Sequence, residues 1–187
     1  MVEAAKEPDT FKLSDTESAL VLQHLGDEFL VDPQYKATCE LTETEAKKRS
    51  QLVEDVEYSF QLALKKGDYY LGSAFINFYL ADGELKDGEL FLNFNGLAIA
   101  DLNINDEEVK DKDVFKGQRI QLKPSTVSPG WNTVRVKYIN AYGKSSVGLY
   151  TATDAKDDLQ YLTSQFEAFH CQKVFPCFDQ PSLRAKM

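Results

Sequence analysis

The sequence predicts a mainly β protein, an antiparallel sandwich or saddle-like domain preceded by one or two short helices. Three observations carry this reading. From Val56 onward apolar residues recur at every second position, the period of a half-buried strand. The alternating stretches are short, closely spaced and separated by Gly, Asp and Pro, as in antiparallel sandwiches and barrels. Aromatic residues are abundant, with 9 Tyr and 12 Phe, and rings favour strands. With 187 residues, 43% of them hydrophobic, the chain can close one domain of ordinary size.

Met1 to Phe11 is polar and reads as a loose leader. Ser14-Asp15-Thr16-Glu17 is a capping-box pattern ahead of Ala19, Leu20, Val21, Leu22 and Leu25. It predicts a short helix that Gly26 would stop. A second capping box, Thr42-Glu43-Thr44-Glu45, opens a helix through Leu52 whose polar face is broad, which places it on the surface. Val56, Tyr58, Phe60, Leu62 and Leu64 then mark the apolar side of a strand. Lys66-Gly67-Asp68 turns the chain into a strand from Tyr70 to Leu80. Turns follow at Asp82-Gly83 and Asp87-Gly88, then strands at 89–94, 97–104, 119–122 and 133–138. Gly148 to Tyr150 and Gln160 to Phe166 read as extended. The organisation expected is an N-terminal arm, 1–40, and a β-domain, 41–187.

A net charge of −9 argues against nucleic acid and anionic membranes as partners, since both want a basic face. The longest apolar run, Ser18 to Leu25, is interrupted by Gln23 and His24 and falls short of the roughly 20 residues a bilayer span needs. The start has the layout of neither a signal nor a transit peptide. Three cysteines, Cys39, Cys171 and Cys177, suit free thiols in a reducing compartment. The expected location is the cytoplasm.

The most distinctive segment is Tyr161-Leu162-Thr163-Ser164-Gln165-Phe166-Glu167, then Cys171 to Pro181 with Phe175-Pro176-Cys177-Phe178-Asp179-Gln180-Pro181, then Leu183-Arg184-Ala185. It resembles the run Y-x-x-x-Q-F-E … F-P-C-F-D-x-P-x-x-K-A of the aminopeptidase N family of zinc metallopeptidases. A strand from near Tyr58, a Gly-bearing turn at Gly72, a strand from Gly130 to Tyr138, and Gly148-Leu149-Tyr150 follow the family's order. Leu41-Thr42 with Glu45-Ala46 resembles the helix start of bacterial members. The likeness covers Leu41 to Ala185, the family's N-terminal β-domain.

That resemblance implies substrate-binding roles for Gln165 and Glu167. Gln165 would line the pocket for the substrate's first side chain, and Glu167 would pair with the free α-amino group. The chemistry is apt. An N-terminal amine, with a pKa of about 7.7–8.0, is largely protonated near neutral pH. A carboxylate in a poorly solvated cleft binds that cation and rejects an internal amide. Phe175, Pro176, Phe178 and Pro181 read as architecture, a rigid connection filling a core. Asp179 reads as a cap on backbone donors in its turn. Cys177 belongs to the motif without a redox role. His170, Cys171 and Cys177 lack a fourth ligand, so no metal site is expected.

The family's zinc is held by H-E-x-x-H in a separate catalytic domain. The two histidines here, His24 and His170, begin no such motif, and the family's G-x-M-E-N is absent because the only methionines are Met1 and Met187. The expectation is therefore no catalytic residue and no cofactor in this chain, although a complete family member would bind zinc. Relatives continue beyond F-P-C-F-D-x-P into further strands, so the sheet is expected to be cut short at its C-terminal end. Its edge would need the N-terminal arm or a protein partner to cover it. Two readings follow. In one, the chain recognises peptide substrate once completed by a chain with the zinc domain. In the other, it is a repurposed, non-catalytic structural subunit of a larger assembly.

Overall fold

A computed structural model describes residues 30–31 and 40–186. The helix expected at Ser14 to Leu25 lies outside the described residues. Strand β1 is Leu30–Val31 and helix α1 is Glu43–Leu52, followed by β2 (Val53–Ala63), β3 (Tyr69–Leu80), β4 (Phe91–Asn93), β5 (Ala98–Ile104) and β6 (Glu107–Glu108). Then come β7 (Phe115–Lys116), β8 (Arg119–Gln121), β9 (Gly130–Ala141), β10 (Gly148–Thr153), β11 (Gln160–Gln165) and β12 (Ala185–Lys186). The large sheet runs β1-β5-β9-β3-β2-β12, with β6 beside β5. A small sheet runs β4-β8-β7, and β10-β11 form a separate hairpin. Pairing is antiparallel throughout, as expected, except that β12 joins β2 in parallel.

The capping box forms as its spacing requires. The Thr42 hydroxyl accepts from the Glu45 backbone N–H at 3.3 Å, and the Glu45 carboxylate accepts from the Thr42 N–H at 2.8 Å. Arg119 donates to the same carboxylate and to the Glu40 carbonyl, tying the helix start to β8. Strand β2 begins three residues earlier than the alternation suggests. A register shift between Glu54 and Glu57, with Asp55 at φ 45°, lets Val53 and Val56 both turn inward. The far end of β2 is less covered than expected, since Leu62 and Leu64 are exposed.

The core lies between the inner face of the large sheet and the small sheet. Ile76, Phe78, Val134, Val136 and Tyr138 from β3 and β9 pack with Leu92, Phe115 and Ile120 in one cluster. Gly72 is not in a turn, as its glycine suggested, but inside β3 opposite Tyr138. A Cβ there would lie 2.2 Å from the Tyr138 ring, so the ring occupies the space a side chain would need.

Helix α1 lies on the surface yet buries Arg49 and Leu52. Arg49 is 1% exposed. Its Nε donates to Gln180 Oε1 at 2.9 Å, and one terminal nitrogen donates to Asn93 Oδ1 at 2.7 Å and, at 3.5 Å, to the Phe91 carbonyl. The guanidinium also sits over the rings of Phe91 and Phe178, at 5.3 and 5.8 Å. Burial pulls its pKa down to about 10, so the group stays charged at neutral pH. Gln180 completes the link by donating to the Ala46 carbonyl at 3.0 Å.

Three stability outcomes are expected. Gly72→Ala should lower the unfolding free energy by about 1–3 kcal/mol through overpacking. Most of that loss should vanish in a Tyr138→Leu background, whereas additive losses in urea melts would refute the contact. Arg49→Ala should cost about 3 kcal/mol or more, because it strands buried amide and carbonyl acceptors. Lys47→Ala, at the exposed Glu43 pair, should change stability by less than about 1 kcal/mol.

Candidate functional site

Hairpin β10–β11 is held in continuous register from Gly148↔Gln165 to Thr153↔Gln160. One bridge, Gly143↔Tyr150, ties β10 back toward the end of β9. Strand β11 has β10 as its sole partner among the described residues. Leu159, Tyr161, Leu162 and, just beyond, Phe169 are all exposed, by 41–54%. Tyr161 and Leu162 are successive strand residues and project to opposite faces of the hairpin, so apolar side chains are exposed on both.

Gln165 closes β11 and Glu167 follows two residues later, both exposed. Neither side chain is engaged by a hydrogen bond or ion pair among the described residues. Phe166 between them turns inward, its ring edge-on to Phe175 at 6.0 Å. Phe175 in turn stacks on Phe60 of β2 at 4.0 Å. The His170 N–H donates to the Phe166 carbonyl at 2.9 Å, closing the turn that carries Glu167. The peptide between Glu167 and Ala168 is cis. The two expected substrate residues are thus displayed together, on either side of an anchored ring.

The base beneath them is rigid for a visible reason. A short 3-10 helix, Cys171–Lys173, leads into the Phe-Pro-Cys-Phe-Asp run, which is buried throughout. Cys177 exchanges backbone hydrogen bonds with Asn93 at 2.7 and 3.0 Å. Tyr58 accepts from the Phe178 N–H at 2.9 Å, and Tyr70 donates to the Val174 carbonyl at 3.0 Å. Asn140 donates to the Lys173 carbonyl at 2.7 Å. Asp179 does cap a backbone donor, but that donor is Gln172, seven residues upstream, at 3.0 Å. Phe178 meets Phe78 edge-on at 5.2 Å. Pro176 is buried as expected, whereas Pro181 is exposed and lies outside the core.

Electrostatics make this base inert. Burial pushes the Tyr58, Tyr70 and Cys177 groups well above their ordinary values, so all three are neutral. Burial likewise lifts Cys171 to about 11 and raises Asp179. Burial lowers His170, with Lys173 adding to the effect. Low-pKa thiolates react and ligate, and neither cysteine is one. Among the described residues no three His, Cys, Asp or Glu side chains are grouped to hold a metal ion. The described residues therefore do not fit a zinc site.

Sequence reasoning missed Arg49 and Gln180. Gln180 stands at a variable position of the F-P-C-F-D-x-P motif, and Arg49 sits in a helix that reads as polar. The one available signal was Leu52, three residues after Arg49 and so on the same helical face.

Residues 55–187 match the family described as the Peptidase M1 N-terminal domain. Aminopeptidase N of Streptomyces lividans is 32% identical over 148 residues, 78% of this chain and 17% of that protein. Leucine aminopeptidase 2 of Saccharomyces cerevisiae is 24% identical over 110 residues, 57% of this chain and 16% of that protein. The structure of native yeast LTA4 hydrolase superposes with a TM-score of 0.56 at 17% identity, over 73% of this chain and 22% of that one. That likeness shows the fold. The chain spans 17% and 16% of the length of these two curated relatives, and no helix among its described residues is long and apolar enough to cross a membrane. The match is to the N-terminal domain, and the family's zinc belongs to the catalytic domain. The chain belongs to the aminopeptidase-related M1 peptidase family, of which it carries the N-terminal domain.

Proposed function

We propose that this chain is the substrate-recognition part of a zinc aminopeptidase, non-catalytic by itself, that reads the free amino end of a peptide for a polypeptide bearing the zinc site. The observation that carries this is the pair Gln165 and Glu167, exposed and unengaged at the end of a hairpin set on a buried base. Their turn is closed by the His170 hydrogen bond and anchored by Phe166 on Phe175. A carboxylate displayed on a turn held in this way suits a primary ammonium, which offers three donors and a full charge. In water such a pair is weak. It needs a second surface to exclude solvent, and the exposed apolar side chains Leu159, Tyr161, Leu162 and Phe169 offer that surface contacts on both sides of the hairpin. The names of the relatives, aminopeptidase N and leucine aminopeptidase 2, support the same direction. The compartment proposed is the cytoplasm.

The second reading, a structural subunit, draws on those same apolar side chains, which would hold any partner whether or not Glu167 has work to do. The two readings separate on Glu167.

Two outcomes are expected. The purified chain, loaded with zinc, should release no amino acid from a fluorogenic aminoacyl substrate. Turnover that a chelator abolishes would overturn the non-catalytic assignment. In an assembly with a zinc-domain polypeptide, Glu167→Gln should raise KM for free-amine peptides by about 10- to 100-fold, the equivalent of a lost charge-assisted hydrogen bond. Unchanged kinetics in an intact assembly would leave the structural-subunit reading in possession.

A further inference from the structure

One row across the outer face of the large sheet joins Glu54 of β2, Tyr79 of β3 and Trp131 of β9 as successive register partners. Such partners put their side chains on one face. The residues beside them in each strand, Val53, Leu80 and Asn132, are buried on the other. Trp131 is 58% exposed and Tyr79 37%, although rings of this size are mostly well covered. The two rings meet edge-on, with centroids 5.9 Å apart and planes at 85°. Glu54 is exposed, and the bulge that follows it displays Asp55, exposed as well. Neither carboxylate is engaged by a hydrogen bond or ion pair among the described residues. Among those residues no cation lies over the Tyr79 or Trp131 ring. Two rows along the same face, the chain shows what rings and a carboxylate can hold. There the Arg135 guanidinium lies over the Phe75 ring at 5.2 Å and pairs with Asp106 at 3.1 Å.

We propose that Glu54, Tyr79 and Trp131 dock an arginine side chain of a protein partner. Charge complementarity argues for this occupant. Two strand spacings, about 10 Å, separate Glu54 from Trp131, and Tyr79 lies between them. A cation set over Tyr79 therefore has the second ring on one side and the carboxylate on the other. A guanidinium suits both neighbours. Its flat face stacks on a ring, and its fork of N–H donors matches a carboxylate. A quaternary ammonium has no donor for Glu54 and is held by rings that close around it, whereas this face is open. An anion would meet Glu54 and Asp55 as like charges. Trp and Tyr are also the residues on which protein interfaces concentrate their binding energy. At longer range the net charge of −9 draws basic segments toward the chain. In water an exposed pair with Glu54 alone is weak, and a partner that covers the rings shuts solvent out of it. The site is independent of Gln165 and Glu167, which belong to the hairpin outside this sheet and the turn after it.

Trp131 is the chain's only tryptophan, so its emission reports on this row directly. The probe is tri-arginine, acetylated and amidated so that it offers no free amine to Glu167. Titrated into the full chain at low salt, it should change the emission saturably, with a Kd below about 10 mM. Glu54→Gln, an exposed substitution, should weaken that binding by about threefold or more. Glu167→Gln should leave it unchanged. The same peptide with citrulline, an uncharged isostere, in place of arginine should give no saturable change. Absence of a saturable response to tri-arginine in the unaltered chain would overturn the proposal. So would undiminished binding in Glu54→Gln, or an equal response to the citrulline peptide. Loss of the response in Glu167→Gln would overturn it too, by placing the peptide at the hairpin. An equal affinity for tri-lysine would overturn the choice of arginine.

Discussion

A guanidinium shut away from water dictates much of this architecture. Arg49 is charged, buried and met by neutral amide and carbonyl acceptors, so removing any one acceptor would leave part of a cation unsolvated. Asn93 and Phe91 fix β4, Gln180 fixes the end of the Phe-Pro-Cys-Phe-Asp run, and the helix backbone fixes Arg49 itself. Three segments distant in sequence are therefore held together by the hydrogen bonds of Nε and one terminal nitrogen, while the other terminal nitrogen is buried without an acceptor among the described residues. The rings of Phe91 and Phe178 shield the group while offering their π faces, and Asp179, though not hydrogen-bonded to it, lies near enough to favour the charge. Everything above this layer inherits its position. Phe175 is placed by the run, Phe166 is placed by Phe175, and Gln165 and Glu167 flank Phe166.

What sequence could reveal divides along physical lines. Local rules worked where the determinant was local. Thr42 and Glu45 sit three apart and cap their helix. The alternation through Ala74, Ile76 and Phe78 gave the correct inner face of β3. The Phe-Pro-Cys-Phe-Asp run was legible as architecture because rings and prolines in that density have few other uses. Local rules failed where the partner is remote. Nothing near Gly72 announces that Tyr138 will fill its space. Nothing near Asp179 says that its donor is Gln172. Arg49 reads as one more solvated cation until Gln180 and Asn93 are brought to it. Two-residue strands such as β6, β7 and β12 are too short to show a period at all. Pro181 misled in the other direction, as a motif residue that stands in solvent.

The candidate site shows the same division. Gln165 and Glu167 were legible as a pair through resemblance to a family motif, and their spacing around Phe166 has a geometric meaning that only the packed ring makes plain. The apolar exposure of Leu159, Tyr161, Leu162 and Phe169 was not legible, because alternation in a strand does not say which face will find a neighbour. The neutral groups underneath suit a platform. A titrating thiol or phenol below Glu167 would make the turn above it sensitive to redox state or alkaline pH, and burial of Tyr58, Tyr70 and Cys177 removes that sensitivity.

The hairpin contributes little to the core on which it stands. Its strands hydrogen-bond chiefly to each other, and most of its side chains face solvent. Beyond Gln160, whose amide bonds the Gly67 backbone, substitutions from Tyr161 to Gln165 are therefore nearly uncoupled from folding, since surface changes away from caps and buried groups shift stability by about 0.5 kcal/mol or less. Sequence can change at this exposed tip without disturbing the foundations beneath it. In evolutionary terms the hairpin is a replaceable tip on a fixed handle, whose surface can diverge faster than the fold that carries it.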